Sequence, residues 1–160
     1  MAKEVTYVMV KPDGVKKNLT QVICDILIAN ELIIYDILPS FNLTSDLIKE
    51  HYSHLIDKPF FPELEEFMLS GPVVPMIVYG EDAVNKVRTI IGPTNVKKAK
   101  EECPESIRAI YGDVENASAN VVHASDSPEN ALIEIKRFFG KEMEQPSDCK
   151  VKCLFKGMIL

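Results

Sequence analysis

The order of elements legible in the chain predicts an α/β (α+β) domain built on an antiparallel sheet of the split-βαβ kind. Apolar stretches at 5–10, 32–41 and 73–79, and a short Val121-Val122 run, have the composition of strands. Between and after them, stretches at 20–30, 83–91 and 128–139 repeat apolar residues at helical spacing. The resulting order is β-α-β-α-α-β-α-loop-β-α, and two βαβ-like halves with a hairpin-like link are what a split-βαβ sheet requires. With 160 residues, 46% of them hydrophobic and 26% charged, the chain is a soluble globular domain of ordinary size.

The first strand, 5–10, is almost continuously apolar, as expected of a buried strand. It ends in Lys11-Pro12-Asp13-Gly14, read as a turn in which proline sets φ and Asp-Gly supplies a residue able to take positive φ. A lysine there stands at the rim of the sheet. The helix at 20–30 carries Val22, Ile23, Ile26 and Leu27 on one face, and 32–41 follows as a strand close enough in sequence to be an antiparallel partner. Thr44-Ser45-Asp46 caps another helix, with Leu47, Ile48, Tyr52 and Leu55 at helical spacing. On it His51 and His54 lie three apart and could face one metal ion, although no acidic or cysteine partner stands in the pattern needed.

Asp57-Lys58-Pro59-Phe60-Phe61-Pro62 is a rigid aromatic break, after which 63–69 reads as a short helix. Of the paired phenylalanines, one is expected in the core while its neighbour points the other way, free to stack on a flat ligand. In the strand at 73–79, Pro75 points to an edge or a bulge. The helix at 83–91 carries Arg88. The segment 92–119 is long for a loop and so reads as functional, subunit-contacting or mobile, with a short helix at 96–102. A domain boundary is expected at 140, leaving 141–160, with its apolar end Met158-Ile159-Leu160, as a tail on the surface or against a neighbouring subunit.

Composition excludes several classes. A formal charge of −6 argues against a nucleic-acid binder, and no apolar run approaches the length of a membrane span. Met1-Ala2-Lys3 leads almost directly into a strand, leaving no room for a signal peptide, so a cytoplasmic location is expected. The four cysteines form no Cys-x-x-Cys pair. Cys149 and Cys153 are spaced for a metal or a disulfide, but reduced thiols suit a chain without a secretory signal.

The chemistry centres on Asn120-Val121-Val122-His123-Ala124-Ser125-Asp126-Ser127. It reads as a strand that delivers a histidine to its end and then turns into a capped helix, beside whose free N–H groups an anion would bind. A lone histidine there ordinarily does no more than bond its neighbours; the rest of the chain gives it company. No glycine-rich phosphate loop or dinucleotide fingerprint is present, so a phosphate site would have to be built from side chains. Lys11, Arg88 and Arg108, with the hydroxyls of Tyr52 and Thr94, are the candidates.

These residues stand in an ordered set: Lys11-Pro12-Asp13-Gly14-Val15, His51-Tyr52, Asp57-Lys58-Pro59-Phe60-Phe61, Ser70-Gly71-Pro72-Val73-Val74, Gly92-Pro93-Thr94-Asn95, Ser106-Ile107-Arg108 and the stretch ending in Ser127. Over about residues 5–140 the chain closely resembles the nucleoside diphosphate kinases. The resemblance implies a ferredoxin-like sandwich, a four-stranded antiparallel sheet covered by helices. It also implies transfer of a γ-phosphate between nucleoside triphosphates and diphosphates with Mg²⁺, by a ping-pong route. By the same resemblance His123 is the nucleophile that becomes phosphohistidine, and Lys11, Tyr52, Arg88, Thr94 and Arg108 hold phosphates. Asn120 and Lys11 meet the ribose 3′-hydroxyl, Phe60 stacks on the base with Leu64 beside it, Ser125 supplies a hydroxyl near the nucleophile, and Glu134 orients its ring. No protein side chain is expected to bind the metal directly; the nucleotide phosphates carry it. A homo-oligomer is implied, a hexamer with a tetramer or dimer as alternatives.

Departures follow Asn95. The segment to Arg108 is a few residues longer than the family's short form, Pro104-Glu105-Ser106-Ile107-Arg108-Ala109-Ile110 replaces its usual run, and Ala124 stands where glycine is more frequent. They touch the subunit contacts of this loop and the base wall near Ala117. A catalytically weak scaffold of the same family is the competing reading, and the complete set from Lys11 to His123 speaks against it.

Overall fold

Side-chain alternation along two central strands builds the fold. In the computed structural model, which describes residues 2–146, β1 (Lys3–Val10) and β3 (Val74–Glu81) lie side by side in a four-stranded antiparallel sheet ordered β2-β3-β1-β4. The edges are β2 (Ile33–Ile37) and β4 (Val122–Ala124). Val5, Tyr7 and Met9 of β1 join Ile77 and Tyr79 of β3 in a core on one face, while Val8 and Val10 join Val74, Met76 and Val78 in a second core on the other. Burial on both faces is why the run at 5–10 has no polar alternation.

Helices clad each face. On the first, α3 (Ser45–His51), α4 (Phe61–Leu69) and α8 (Pro128–Phe139) insert Ile48, Leu64, Met68 and Ile135. On the second, α2 (Thr20–Ala29) and α5 (Ala83–Ile91) insert Ile23, Leu27, Val87 and Ile91. This is the helix-covered antiparallel sandwich expected. Helix starts are capped by side chains of the kind that competes for orphan amides: Thr44 accepts from Leu47 N at 3.2 Å and Ser127 from Asn130 N at 3.1 Å. Pro128 occupies the first turn of α8, and Gly140, with φ 67°, ends the helix in the left-handed region.

Several local expectations change. Lys11-Pro12-Asp13-Gly14 is no open turn, since Pro12–Lys16 forms a short helix, α1, and Gly14 does not take positive φ. Glycine is needed there for space: a Cβ would lie 2.8 Å from both Val121 O and Val10 Cγ1. The second strand stops at Ile37 and pairs with β3, not with β1, because α2 carries the chain across a face before it returns. Pro75 therefore sits in a central strand and not at an edge. It is tolerated as the second residue of β3, where β2 has already ended opposite Met76; the irregularity lies in β2, between Ile34 and Asp36. The segment 92–119 is more ordered than a loop, with α6 (Val96–Glu102) as expected and a further helix, α7 (Ile107–Tyr111).

Packing continues past 140. Gln145 is buried, its amide exchanging hydrogen bonds with Val5 N (2.8 Å) and Val5 O (2.9 Å) and donating to Pro128 O at 2.9 Å. Cys149, Cys153 and Met158-Ile159-Leu160 lie outside the described residues. Replacing Gly14 with Ala should lower stability by about 1–3 kcal/mol through overpacking against Val121. A urea titration followed by circular dichroism reads this as a lower midpoint, and an unchanged midpoint would show that the contact yields freely.

Candidate active site

Strand pairing delivers the nucleophile candidate. In β4, His123 lies opposite Met9, so its ring projects to the same face as Tyr7 and Met9, beneath α3 and α8, while Val122 projects into the opposite core. The ring meets α8 through a side chain of its second turn. It leans on the flank of that helix, where Nε2 is 3.1 Å and 3.0 Å from the two carboxylate oxygens of Glu134. Ser125 Oγ donates a short hydrogen bond to the same carboxylate. A carboxylate can only accept, so Nε2 carries the proton and Nδ1 keeps its lone pair. Burial would raise the Glu134 carboxyl, but the bonds from His123 and Ser125 outweigh it and hold the group below its ordinary value.

A cleft of about 1310 Å³ opens in front of this pair, ample for a ligand larger than the drug-sized molecules that fill ~300–1,000 Å³. Lys11, Tyr52, Phe60, Leu64, Arg88, Thr94, Arg108, Ala117, Asn120, His123 and Glu134 all line it, although they come from eight separate stretches of chain. Ser125 does not; it is buried behind the carboxylate. Lys11 Nζ donates to Ser118 O (2.6 Å) and Asn120 Oδ1 (2.8 Å), and Asn120 Nδ2 donates to Thr94 O at 3.0 Å. Burial pushes the Lys11 ammonium down to about 7, against the pull of Asp13 and with the help of Arg108.

Arg108 is more than a cation on the wall. Its guanidinium donates to Asn120 O (3.3 Å), Gly92 O (2.9 Å) and Val122 O (2.7 Å), stapling the 92–119 segment to β4. Burial, and then the charge of Arg88, lower it to about 10. Tyr52 is buried with its hydroxyl 4.0 Å from Met68 Sδ, and burial raises its pKa. The paired phenylalanines diverge as expected: Phe61 is in the core at 5% exposure, whereas Phe60 is 49% exposed at the mouth of the cleft.

The structure adds two residues that sequence reasoning assigned elsewhere or not at all. His51 does not pair with His54, which is exposed beyond the end of α3. Its ring instead stands edge-on to that of His123, centroids 4.6 Å apart, with Nδ1 accepting from Arg137 Nη1 at 2.9 Å. Burial and then His123 push His51 down to about 3, so it is neutral. His51, His123 and Glu134 offer ligand atoms within 4.8 Å of one another, the spacing of a metal site. The guanidinium on His51 Nδ1 occupies the lone pair a metal would need. A signal for Arg137 existed in the sequence: it is three residues past Glu134 on the same helix face.

The sequence profile described as nucleoside diphosphate kinase matches residues 4–143. The chain belongs to the nucleoside diphosphate kinase family. Its relatives in that family include the enzyme of Aquifex aeolicus (strain VF5), 44% identical over 135 residues that cover 84% of this chain and 93% of that one. The orthorhombic crystal structure of the Aquifex aeolicus nucleoside diphosphate kinase matches with a TM-score of 0.80 at 43% identity, covering 86% of this chain and 96% of the other. A halophilic nucleoside diphosphate kinase from Halobacterium salinarum, solved in complex with CDP, matches with a TM-score of 0.78 at 36% identity over 89% and 91% of the two chains. The family's fold is thus established for this chain by sequence and by shape.

If the Glu134 carboxylate selects the His123 tautomer, Glu134→Ala should turn a single Nε2-protonated ring into a mixture. Ring ¹⁵N shifts of the unliganded protein measure this, and an unchanged His123 spectrum would show that Glu134 does not set the tautomer.

Proposed function

We propose that this chain carries out the family's reaction, moving the γ-phosphoryl group of a nucleoside triphosphate to a nucleoside diphosphate through phosphohistidine at His123 Nδ1. The observation that carries the reading is the two-oxygen grip of Glu134 on Nε2, which leaves Nδ1 as the ring nitrogen able to attack. In the first half, the Nδ1 lone pair forms a bond to the γ-phosphorus, and the bond from phosphorus to the β,γ-bridging oxygen breaks. The nucleoside diphosphate departs with that electron pair. In the second half, a β-phosphate oxygen of another diphosphate forms the new bond as the N–P bond breaks. The Nε2 proton stays shared with Glu134 throughout, which offsets the positive charge that grows on the ring. Ser125 holds the carboxylate in place.

Positioning and charge neutralisation do the remaining work, as in phosphoryl transfer generally. We assign phosphate binding to Lys11, Tyr52, Arg88, Thr94 and Arg108, and the ribose 3′-hydroxyl to Lys11 and Asn120, which already form one hydrogen-bonded chain to Thr94. Phe60, half-exposed with Leu64 behind it, is assigned to the base; a stacked ring leaves the base edge unread and suits a site that accepts several bases. The lining carboxylates are Asp126, bonded by Asn130 at 2.6 Å, and Glu134, bonded to His123. A Mg²⁺ ion would therefore be held by the phosphate oxygens of the nucleotide, where it adds charge neutralisation.

His123→Ala should fold normally, bind nucleotide and exchange no phosphate. With γ-labelled ATP the intact protein should acquire acid-labile label and the variant none, and initial-rate plots at fixed ATP concentrations should be parallel. Intersecting lines, or exchange by the variant at near-normal rate, would sink the reading.

We also propose a homo-oligomer, a hexamer in preference to a tetramer or dimer, working in the cytoplasm. Two apolar surfaces support it. Ile33 and Ile37 are exposed on edge strand β2, with Ile28 exposed on α2, and Ile110 and Val114 are exposed in the 92–119 segment. In a closed ring larger than a dimer each subunit presents two different patches, one to each neighbour. The described cysteines Cys24 and Cys103 are free thiols, as a reducing compartment keeps them, and among the described residues no helix is long and apolar enough to cross a membrane. Sedimentation velocity should give a mass several times that of the chain, stepping down when Ile110 is replaced by Asp. A monomeric mass for the unaltered protein would exclude assembly.

A further inference from the structure

We propose that Arg137 is a positioning residue for phosphoryl transfer, acting through His51: its guanidinium keeps that imidazole from competing with His123 for Glu134. The inference rests on the His123 reading above and concerns what stands behind it.

A guanidinium donates and never accepts. With Arg137 Nη1 at 2.9 Å, His51 Nδ1 must present its lone pair, which puts the His51 proton on Nε2. That same Nδ1 lies 3.7 Å from Glu134 Oε2, too far for a hydrogen bond and near enough to become one with a small shift. Were Nδ1 protonated, it would donate to Oε2 and draw the carboxylate off His123, whose Nε2 is 3.0 Å from the same oxygen. Arg137 decides between the two arrangements by occupying the nitrogen.

The surroundings leave His51 few alternatives. Its side chain is 1% exposed and is wedged edge-on among Tyr52, His123 and Phe138, at centroid distances of 4.7, 4.6 and 5.0 Å. The charged and titratable groups facing it are Glu134 and Arg137 from α8, His123 from β4, Tyr7 from β1, and Tyr52 and His54 from the segment after α3. Among the described residues none of these but Arg137 hydrogen-bonds His51. The Arg137 side chain is 14% exposed, and Glu50 Oε1 lies 3.7 Å from its Nε, an ion-pair distance beyond hydrogen-bond reach, so among the described residues the bond to His51 Nδ1 is what orients the guanidinium. This is the logic of an oriented nucleophile carried one group further back.

Arg137→Met should move the His51 proton to Nδ1 and lower kcat about tenfold, the scale of lost outer-shell support, with KM for both nucleotides within about twofold. Arg137→Lys should keep most of the activity, since an ammonium also only donates. The ¹⁵N ring spectrum of the unliganded protein reads the His51 tautomer without any turnover. In a double-mutant cycle, Arg137→Met combined with His51→Phe should lose no more kcat than His51→Phe alone. An Nδ1 that stays unprotonated in Arg137→Met, an unchanged kcat, or additive losses in the cycle would overturn the proposal. Failure of the unaltered protein to form phosphohistidine would strike the His123 reading instead and leave the tautomer measurement to judge Arg137.

Discussion

A β-branched residue held in a left-handed backbone is the constraint on which the site depends. Val121 has φ 75° and is fully buried, a conformation that costs about 1–3 kcal/mol. Both of its peptide groups are restrained: Asp13 Oδ2 accepts from Val121 N at 3.0 Å, and the Lys11 amide donates to Val121 O at 2.9 Å. Gly14 leaves room for that carbonyl. The bend lets adjacent residues face different tasks. Asn120 reaches back to the Lys11 ammonium, and Val122 starts the short strand that carries His123 to Glu134. Two stretches more than a hundred residues apart thus act as one mechanical unit, with backbone strain supporting side-chain placement.

Electrostatics divide the site into two sides of one imidazole. In front, Lys11, Arg88 and Arg108 line one cleft, and burial with mutual repulsion brings Lys11 to about 7 and Arg108 to about 10. Such depressions mean that the unliganded site keeps its positive charge at a cost, which an entering anion relieves. Beside the ring, Glu134 is the negative partner, kept ionised by the donors His123 and Ser125. Arg108 adds rigidity, because the bonds that fix the 92–119 segment to β4 also fix the cation.

Much of this was legible in the chain. The family resemblance implied that Glu134 orients the ring of His123, and the carboxylate is found at 3.0 Å from its Nε2. The Pro-flanked Phe60-Phe61 pair could not send both rings the same way, so one went to the core and the other to the cleft mouth. The order of the motifs carried the family, because side-chain chemistry at each block is local.

What only tertiary structure decided involves partners distant in sequence. Local pattern marks 32–41 as a strand but neither its end at Ile37 nor its neighbour, and the α2 crossover sends it to β3. Proline at 75 argues for an edge until the end of β2 opposite Met76 makes its place tolerable. Lys11-Pro12-Asp13-Gly14 has turn chemistry by composition, yet its residues serve Val121, which no spacing rule connects to them. His51 and Arg137 lie 86 positions apart and become a pair only because α3 and α8 cover the same face of the sheet. Amino-acid types and local periods marked the longer elements and the chemical inventory; long-range packing determined which groups meet, because burial on both faces of a sheet is shared among segments that have no local relation.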